Sequence, residues 1–160
     1  MAAETILATL CLLRANGKLL LQRRAAGRVW AGRLNGPGGK LLPGEPPEVG
    51  LAREVAEETG LRILEPLHHG VIELLFAPPD GARLLVHVYS CTSFLGRTRG
   101  GPEGRLHWYP ETRLPLAEMW RDMRYWLPVV LDGGRVAGTC SFDASGETML
   151  ACELRLSWAR

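Results

Sequence analysis

Lysine is nearly missing from this 160-residue chain: Lys18 and Lys40 stand alone, and arginine carries the rest of the positive charge. With a formal net charge of only +2, the chain lacks the basic stripe of a dedicated binder of long nucleic acid. Cysteine is sparse too, and Cys11, Cys91, Cys140 and Cys152 form no CxxC pattern. Each lies in an apolar, strand-like context, which predicts buried free thiols and a reducing, cytoplasmic setting. No apolar run approaches the roughly 20 residues that cross a bilayer, and no basic patch leads into one at the N-terminus. Repeats, low-complexity tracts and linkers are also missing. A single domain over residues 1–160, large enough for a core of its own, is therefore expected. Such a charge balance suits a small polyanion that brings its own metal ions.

Taken in order, Thr5 to Leu13 and Lys18 to Gln22 are apolar, and Asn16-Gly17 between them predicts a hairpin. Ala25 to Asn35 reads as a loop with an exposed Trp30. Gly36-Pro37-Gly38-Gly39 is unsuited to a helix, so a short extended segment with accessible backbone is expected. Pro46-Pro47 and Gly60 fit the start and the left-handed cap of a helix over Pro47 to Thr59. On it Leu51, Ala52, Val55 and Ala56 share one face, and Glu54, Glu57 and Glu58 gather on the other. Strands are expected within Arg62 to Phe76, over Arg83 to Phe94 and over Leu106 to Tyr109, with a turn at Pro78-Pro79-Asp80-Gly81. A helix follows within Ala117 to Val130, and then a hairpin of Arg135 to Phe142 and Glu147 to Leu156. Locally joined strands interrupted by two helices predict an α/β chain of the α+β type, a mixed β-sheet packed between helices.

The chemistry concentrates on the predicted helix after Gly39. Three glutamates on one helical surface repel one another, so something should balance them. A solvated face beside Arg53 and Arg62 is one answer. A hard divalent cation is the other, since Mg²⁺ takes oxygen ligands and keeps waters that phosphate oxygens can replace. The whole stretch from Gly39 to Leu61 decides between them. It reads G-x5-E-x7-R-E-U-x-E-E-x-G-U, with Val55 and Leu61 at the aliphatic U positions and every specified place filled. In this pattern the chain resembles the Nudix hydrolases. The resemblance implies a loop–helix–loop within the sandwich and hydrolysis of a P–O–P linkage with Mg²⁺ or Mn²⁺. It assigns Glu54, Glu57 and Glu58 as metal and base carboxylates and the Gly39 carbonyl as a further ligand. Arg53 then orients a glutamate, Glu45 fixes the loop, and Glu103 adds an acid from outside the box.

The likeness extends beyond the box to the animal-type branch that acts on oxidised purine nucleoside triphosphates. Arg33-Leu34-Asn35-Gly36, Met119-Trp120-Arg121-Asp122 and Tyr125-Trp126-Leu127-Pro128 carry it. It implies that Asn35 reads a purine edge, Trp120 stacks on the base and Asp122 hydrogen-bonds it. Thr9, Leu74, Phe76 and Leu84 then line the pocket. Two departures stand out: Met123 replaces a second aspartate, and Val29 and Pro37 stand where the branch often has phenylalanine. Both put the breadth of base recognition in question and leave hydrolysis untouched. The substrate so implied is a nucleoside triphosphate. ADP-ribose or a dinucleoside polyphosphate is the alternative, and a non-catalytic nucleotide sensor a third reading. His68-His69, His87 and His107 lack partners at metal spacing and are expected to serve packing.

Overall fold

The computed structural model describes residues 4–79 and 81–158; Asp80 of the expected turn lies outside them. Among the described residues there are ten strands: β1 (Thr5–Ala15), β2 (Lys18–Arg24), β3 (Leu34–Asn35), β4 (Arg62–Leu64), β5 (Leu67–Phe76), β6 (Arg83–Cys91), β7 (Ser93–Leu95), β8 (Gly104–Pro110), β9 (Arg135–Phe142) and β10 (Met149–Ser157). Two α-helices join them, α1 (Pro47–Thr59) and α2 (Met123–Leu131). The main sheet runs β10-β9-β5-β6-β1-β2-β3, with β8 also paired to β2. Its β1–β6 and β5–β9 pairs are parallel, while β1–β2, β5–β6 and β9–β10 are antiparallel. The mixed sheet expected from the sequence is therefore present.

Alternation along the central strands shows why helices cover both faces. Leu10 and Leu12 of β1, with Leu19 and Leu21 of β2, pack into one cluster with Met123, Trp126, Leu127 and Val130 of α2. Cys11, Leu13 and Leu20 point the other way, onto Leu51 and Val55 of α1. A strand buried on both faces reads as a continuous apolar run rather than an alternating one. β1 and β2 show that run.

Helix α1 begins after Pro46 and ends at Gly60, whose φ of 78° is the left-handed cap and whose N–H reaches the Ala56 carbonyl. The segment before it is extended as expected, and its partner is β1. Cys11 N–H donates to the Pro37 carbonyl at 2.7 Å, Thr9 N–H to Gly39 at 2.9 Å, and Leu41 N–H to Leu7 at 2.9 Å. This pairing leaves no room for side chains: a Cβ on Gly38 would lie 2.1 Å from the Thr9 carbonyl oxygen.

Three expectations need correction. The helix expected within Ala117 to Val130 is a 3-10 turn at Leu116–Glu118, an extended stretch, and only then α2. Met119 bridges to Leu34 of β3, so pairing overrides helical propensity there. Phe94 belongs to β7, which pairs with β4 apart from the main sheet. Cys140 and Cys152 form a disulfide, because the antiparallel register of β9 and β10 sets them opposite each other. Cys11 and Cys91 are buried free thiols.

Leu51 is fully buried between α1 and the sheet. Leu51→Ala is expected to cost about 2–5 kcal/mol. Urea unfolding midpoints check this, and a loss under 1 kcal/mol, roughly that of an ordinary surface change, would contradict the packing described.

Candidate active site

The carboxylates of α1 are organised by one guanidinium. Arg53 Nε and Nη2 each donate to Glu45 at 2.9 Å, a two-pronged ion pair across the loop. Nη1 donates to Glu54 at 2.9 Å and reaches Glu57 at 3.5 Å, and Nη2 also holds the Lys40 carbonyl at 3.2 Å. Glu45 accepts the Leu42 N–H at 3.0 Å as well. Arg53 first and that amide second hold the Glu45 carboxyl at about 2, well below the usual carboxylate range. Arg53 itself is pushed further above its ordinary value by the same pair.

Glu58 behaves in the opposite way. It is buried, and its Oε2 accepts the Gly38 N–H at 3.3 Å. Burial first, then the nearby Glu54 and Glu103 charges, push its carboxyl up to about 8 against the pull of that amide. Glu103, just before β8, has a buried Oε2 with no hydrogen-bond partner. Its main-chain carbonyl accepts Ala25 N–H at 2.9 Å, which ties the 25–33 loop to this side. Gly39 packs directly on Glu54: a Cβ there would lie 2.7 Å from the carboxyl carbon. The Gly39 carbonyl is already engaged by the Thr9 amide and, at 3.4 Å, by its hydroxyl.

These groups fit a hard cation. An unpartnered carboxylate oxygen on Glu103 and a Glu58 carboxyl whose acidity burial and like charges weaken both lack positive charge beside them. Oxygen donors of this kind suit Mg²⁺ or Mn²⁺. Among the described residues no three acidic, histidine or cysteine side chains are already gathered round one point, and Arg53 bonds both Glu54 and Glu57. Glu57 is the most open of the set, with 57% of its side chain exposed.

Beside the carboxylates lies a cavity of about 210 Å³. Glu58 lines it from α1, and Thr9, Asn35, Leu74, Leu84, Trp120 and Asp122 line it from the sheet and the approach to α2. The Asn35 oxygen accepts the Gly36 N–H at 2.9 Å. Asp122 is buried, and its Oδ2 accepts the Trp126 indole N–H at 2.7 Å while Oδ1 has no partner. Phe76 stands one layer back, stacked on Phe142 at 5.5 Å and on Trp30 at 5.6 Å. Met123, in place of a second aspartate, is buried and also lines the cavity.

Trp30 and Arg33 are pocket residues that sequence reasoning missed. Trp30, expected in an open loop, meets Trp120 edge-on at 4.7 Å and donates its indole N–H to the Ser145 carbonyl at 3.0 Å. Arg33 lies over the Trp120 ring, its guanidinium carbon 4.5 Å from the ring centre. Buried His69 serves packing, as expected: it bonds the Gly134 carbonyl at 2.8 Å and the Ser90 hydroxyl at 2.6 Å.

A family profile described as NUDIX domain matches residues 5–130. The chain belongs to the Nudix family. The match spans α1 and the carboxylates it carries. Among relatives, the oxidized purine nucleoside triphosphate hydrolase of Mus musculus is 33% identical over 149 residues, 92% of each chain. Its Danio rerio counterpart is 33% identical over 138 residues, 86% of each chain. A mutator MutT protein of Bacillus halodurans shares the Nudix fold with a TM-score of 0.83 at 23% identity, over 94% of this chain and 97% of that one.

Two measurements check this site. Millimolar Mg²⁺ is expected to raise the melting temperature by several degrees, as binding to the folded state at about 100 times Kd contributes roughly 2.7 kcal/mol. Glu58→Gln should lose most of that shift, and an undiminished shift would place the ion elsewhere. Asp122 gives a pH signature, because burial raises its pKa. An acid raised on folding contributes most when protonated in both states, below about pH 3.9, and the contribution falls as pH rises through the folded value. Asp122→Asn should flatten that slope in urea midpoints taken from about pH 4 to 8. A slope unchanged from the native protein would contradict the buried-acid assignment.

Proposed function

We propose that this Nudix hydrolase is a Mg²⁺-dependent nucleoside triphosphate diphosphatase. It releases a monophosphate and pyrophosphate, prefers oxidised purine deoxynucleotides such as 8-oxo-dGTP, and works in the cytoplasm to clear the nucleotide pool. One observation carries the reading: Glu58 of the carboxylate cluster and the Trp120–Asp122 wall line the same cavity. A nucleotide with its base against Trp120 therefore presents its phosphates toward α1. The names of the mouse and zebrafish relatives support the same substrate class.

Mg²⁺, when bound, supplies charge neutralisation of the polyphosphate and a water of lowered pKa. Glu54, Glu58 and Glu103 are the groups that would hold it, and Glu57 borders them on the open face. A carboxylate of this set takes the proton from the attacking water, which needs the base ionised at the working pH. Arg53 is a positioning residue: it keeps Glu54 against Gly39 and locks the Glu45 loop. The Gly39 carbonyl would serve as a further ligand in exchange for the long 3.4 Å bond from the Thr9 hydroxyl. Trp120 provides a stacking surface, a contact worth about 1–3 kcal/mol per base in nucleic-acid systems. Asn35 and Asp122 provide polar readout within apolar walls formed by Thr9, Leu74 and Leu84, with Phe76 behind them.

Met123 keeps a second reading open, since one base-reading carboxylate is replaced by an apolar side chain. On that reading the same hydrolysis acts on ADP-ribose or a dinucleoside polyphosphate. A panel of these compounds with 8-oxo-dGTP, dGTP and the common triphosphates, with and without Mg²⁺, separates the two. The expected result is highest kcat/KM on 8-oxo-dGTP with pyrophosphate as product, falling about 10²-fold or more in Glu57→Gln and Glu58→Gln. No turnover of any triphosphate with Mg²⁺ would overturn the proposal, and a tenfold preference for ADP-ribose would replace it.

A further inference from the structure

Buried polar atoms in native proteins rarely lack partners, so those that do point to a ligand or a function. Four side chains among the described residues carry such an atom: Gln22 at Nε2, Arg33 at Nη1, Glu103 at Oε2 and Asp122 at Oδ1. Glu103 belongs to the carboxylate cluster. Gln22, Arg33 and Asp122 all line the cavity.

Arg33 is the informative member, because its other contacts fix it in place. Its Nη2 pairs with Glu147 at 3.0 Å, its guanidinium lies over Trp120, and its main-chain carbonyl accepts Arg24 N–H at 2.9 Å. The side chain is only 14% exposed. A planar guanidinium held at two points keeps a charged donor pre-aimed, and such a donor without an acceptor is costly to bury. Asp122 is its complement, anchored through Oδ2 by Trp126 with Oδ1 free. The two residues are close enough for Arg33 to pull on the acidity of Asp122.

We infer that Arg33 is a specificity-determining residue, whose Nη1 donates to a carbonyl oxygen of the base while Asp122 accepts from the adjacent ring N–H. The inference rests on the reading that this cavity takes the base of a nucleotide, and it names the edge recognised. Two carboxylates side by side demand two donors from a base. With Met123 apolar and Arg33 present, the pair instead demands one acceptor next to one donor. The lactam edge of an oxopurine, C=O beside N–H, offers both. An unoxidised C8–H beside N7 offers neither arrangement.

The test compares the native protein with Arg33→Met and Arg33→Lys on nucleotides differing by one oxygen. Oxidised and ordinary guanine nucleotides (8-oxo-dGTP, dGTP) form one pair, and dGTP with the 2-aminopurine triphosphate, which lacks the 6-oxygen, the other. In at least one pair Arg33→Met should lose about 10- to 100-fold in kcat/KM on the oxygen-bearing member. The partner should change less than about threefold, and Arg33→Lys should recover part of the loss. Monophosphate affinities, read by calorimetry, should show the same ratio change. An equal loss on every base would make Arg33 a brace for Trp120, and no loss at all would make it irrelevant; either overturns the inference. If the native protein hydrolyses none of these triphosphates, the diphosphatase reading fails, and the monophosphate ratio still decides the role of Arg33. A variant that melts well below the native protein is judged by Arg33→Lys and by that ratio.

Discussion

Arg53 holds the carboxylate side of this molecule together. Its two-pronged pair with Glu45 closes the loop between Gly39 and the helix, and its remaining nitrogens collect Glu54, Glu57 and the Lys40 carbonyl. Without a cation at its centre, a helix face with three glutamates repels itself. A planar guanidinium with five donors can serve several carboxylates at once, which a lysine ammonium on a flexible stem cannot do in the same fixed geometry. The pairing of Gly38 and Gly39 with β1 then sets this assembly against the sheet, at a distance that only glycine allows.

The two sides of the cavity are built by different means. On the α1 side, charge is gathered and partly uncompensated: burial pushes the Glu58 carboxyl up to about 8, and Glu103 has an oxygen without a partner. On the α2 side, aromatic rings do the construction. Trp30, Phe76, Trp120 and Phe142 contact one another with ring centres 4.7 to 5.9 Å apart. The loop between β9 and β10 closes this wall, through Ser145 on Trp30 and Glu147 on Arg33. One cavity thus has carboxylate groups on one side and an aromatic wall on the other.

The Gly39–Leu61 box was legible because its chemistry is local. Helix length, proline start, glycine cap and glutamate spacing are written in consecutive residues, and α1 has the bounds they imply. The sandwich was legible for a similar reason, since apolar runs and turn residues mark strands. Other features depend on distant partners. Met119 reads as helical from its neighbours, but its bridge to Leu34 keeps it extended, and that places Trp120 beside the pocket. Trp30 reads as exposed because its partners, Phe76, Trp120 and Ser145, are remote in sequence. The Cys140–Cys152 pair escaped because it depends on the register of two strands. Arg33 and Gln22 read as ordinary polar loop and strand residues, because only the fold brings them to the cavity and leaves a buried atom of each without a partner.

The central claim is that one cavity binds base and polyphosphate of the same nucleotide through these two walls. The most direct measurement is a crystal structure of the native protein with Mn²⁺ and 8-oxo-dGMP, using anomalous scattering to locate the metal. The account predicts Mn²⁺ bound by oxygens of Glu54, Glu58 and Glu103 at the short distances hard octahedral cations require, about 2.0–2.3 Å. It also predicts the purine ring against Trp120, within hydrogen-bond reach of Asp122. Metal bound away from α1, or a base lying outside the Trp120 wall while the phosphate sits at the metal, would contradict it.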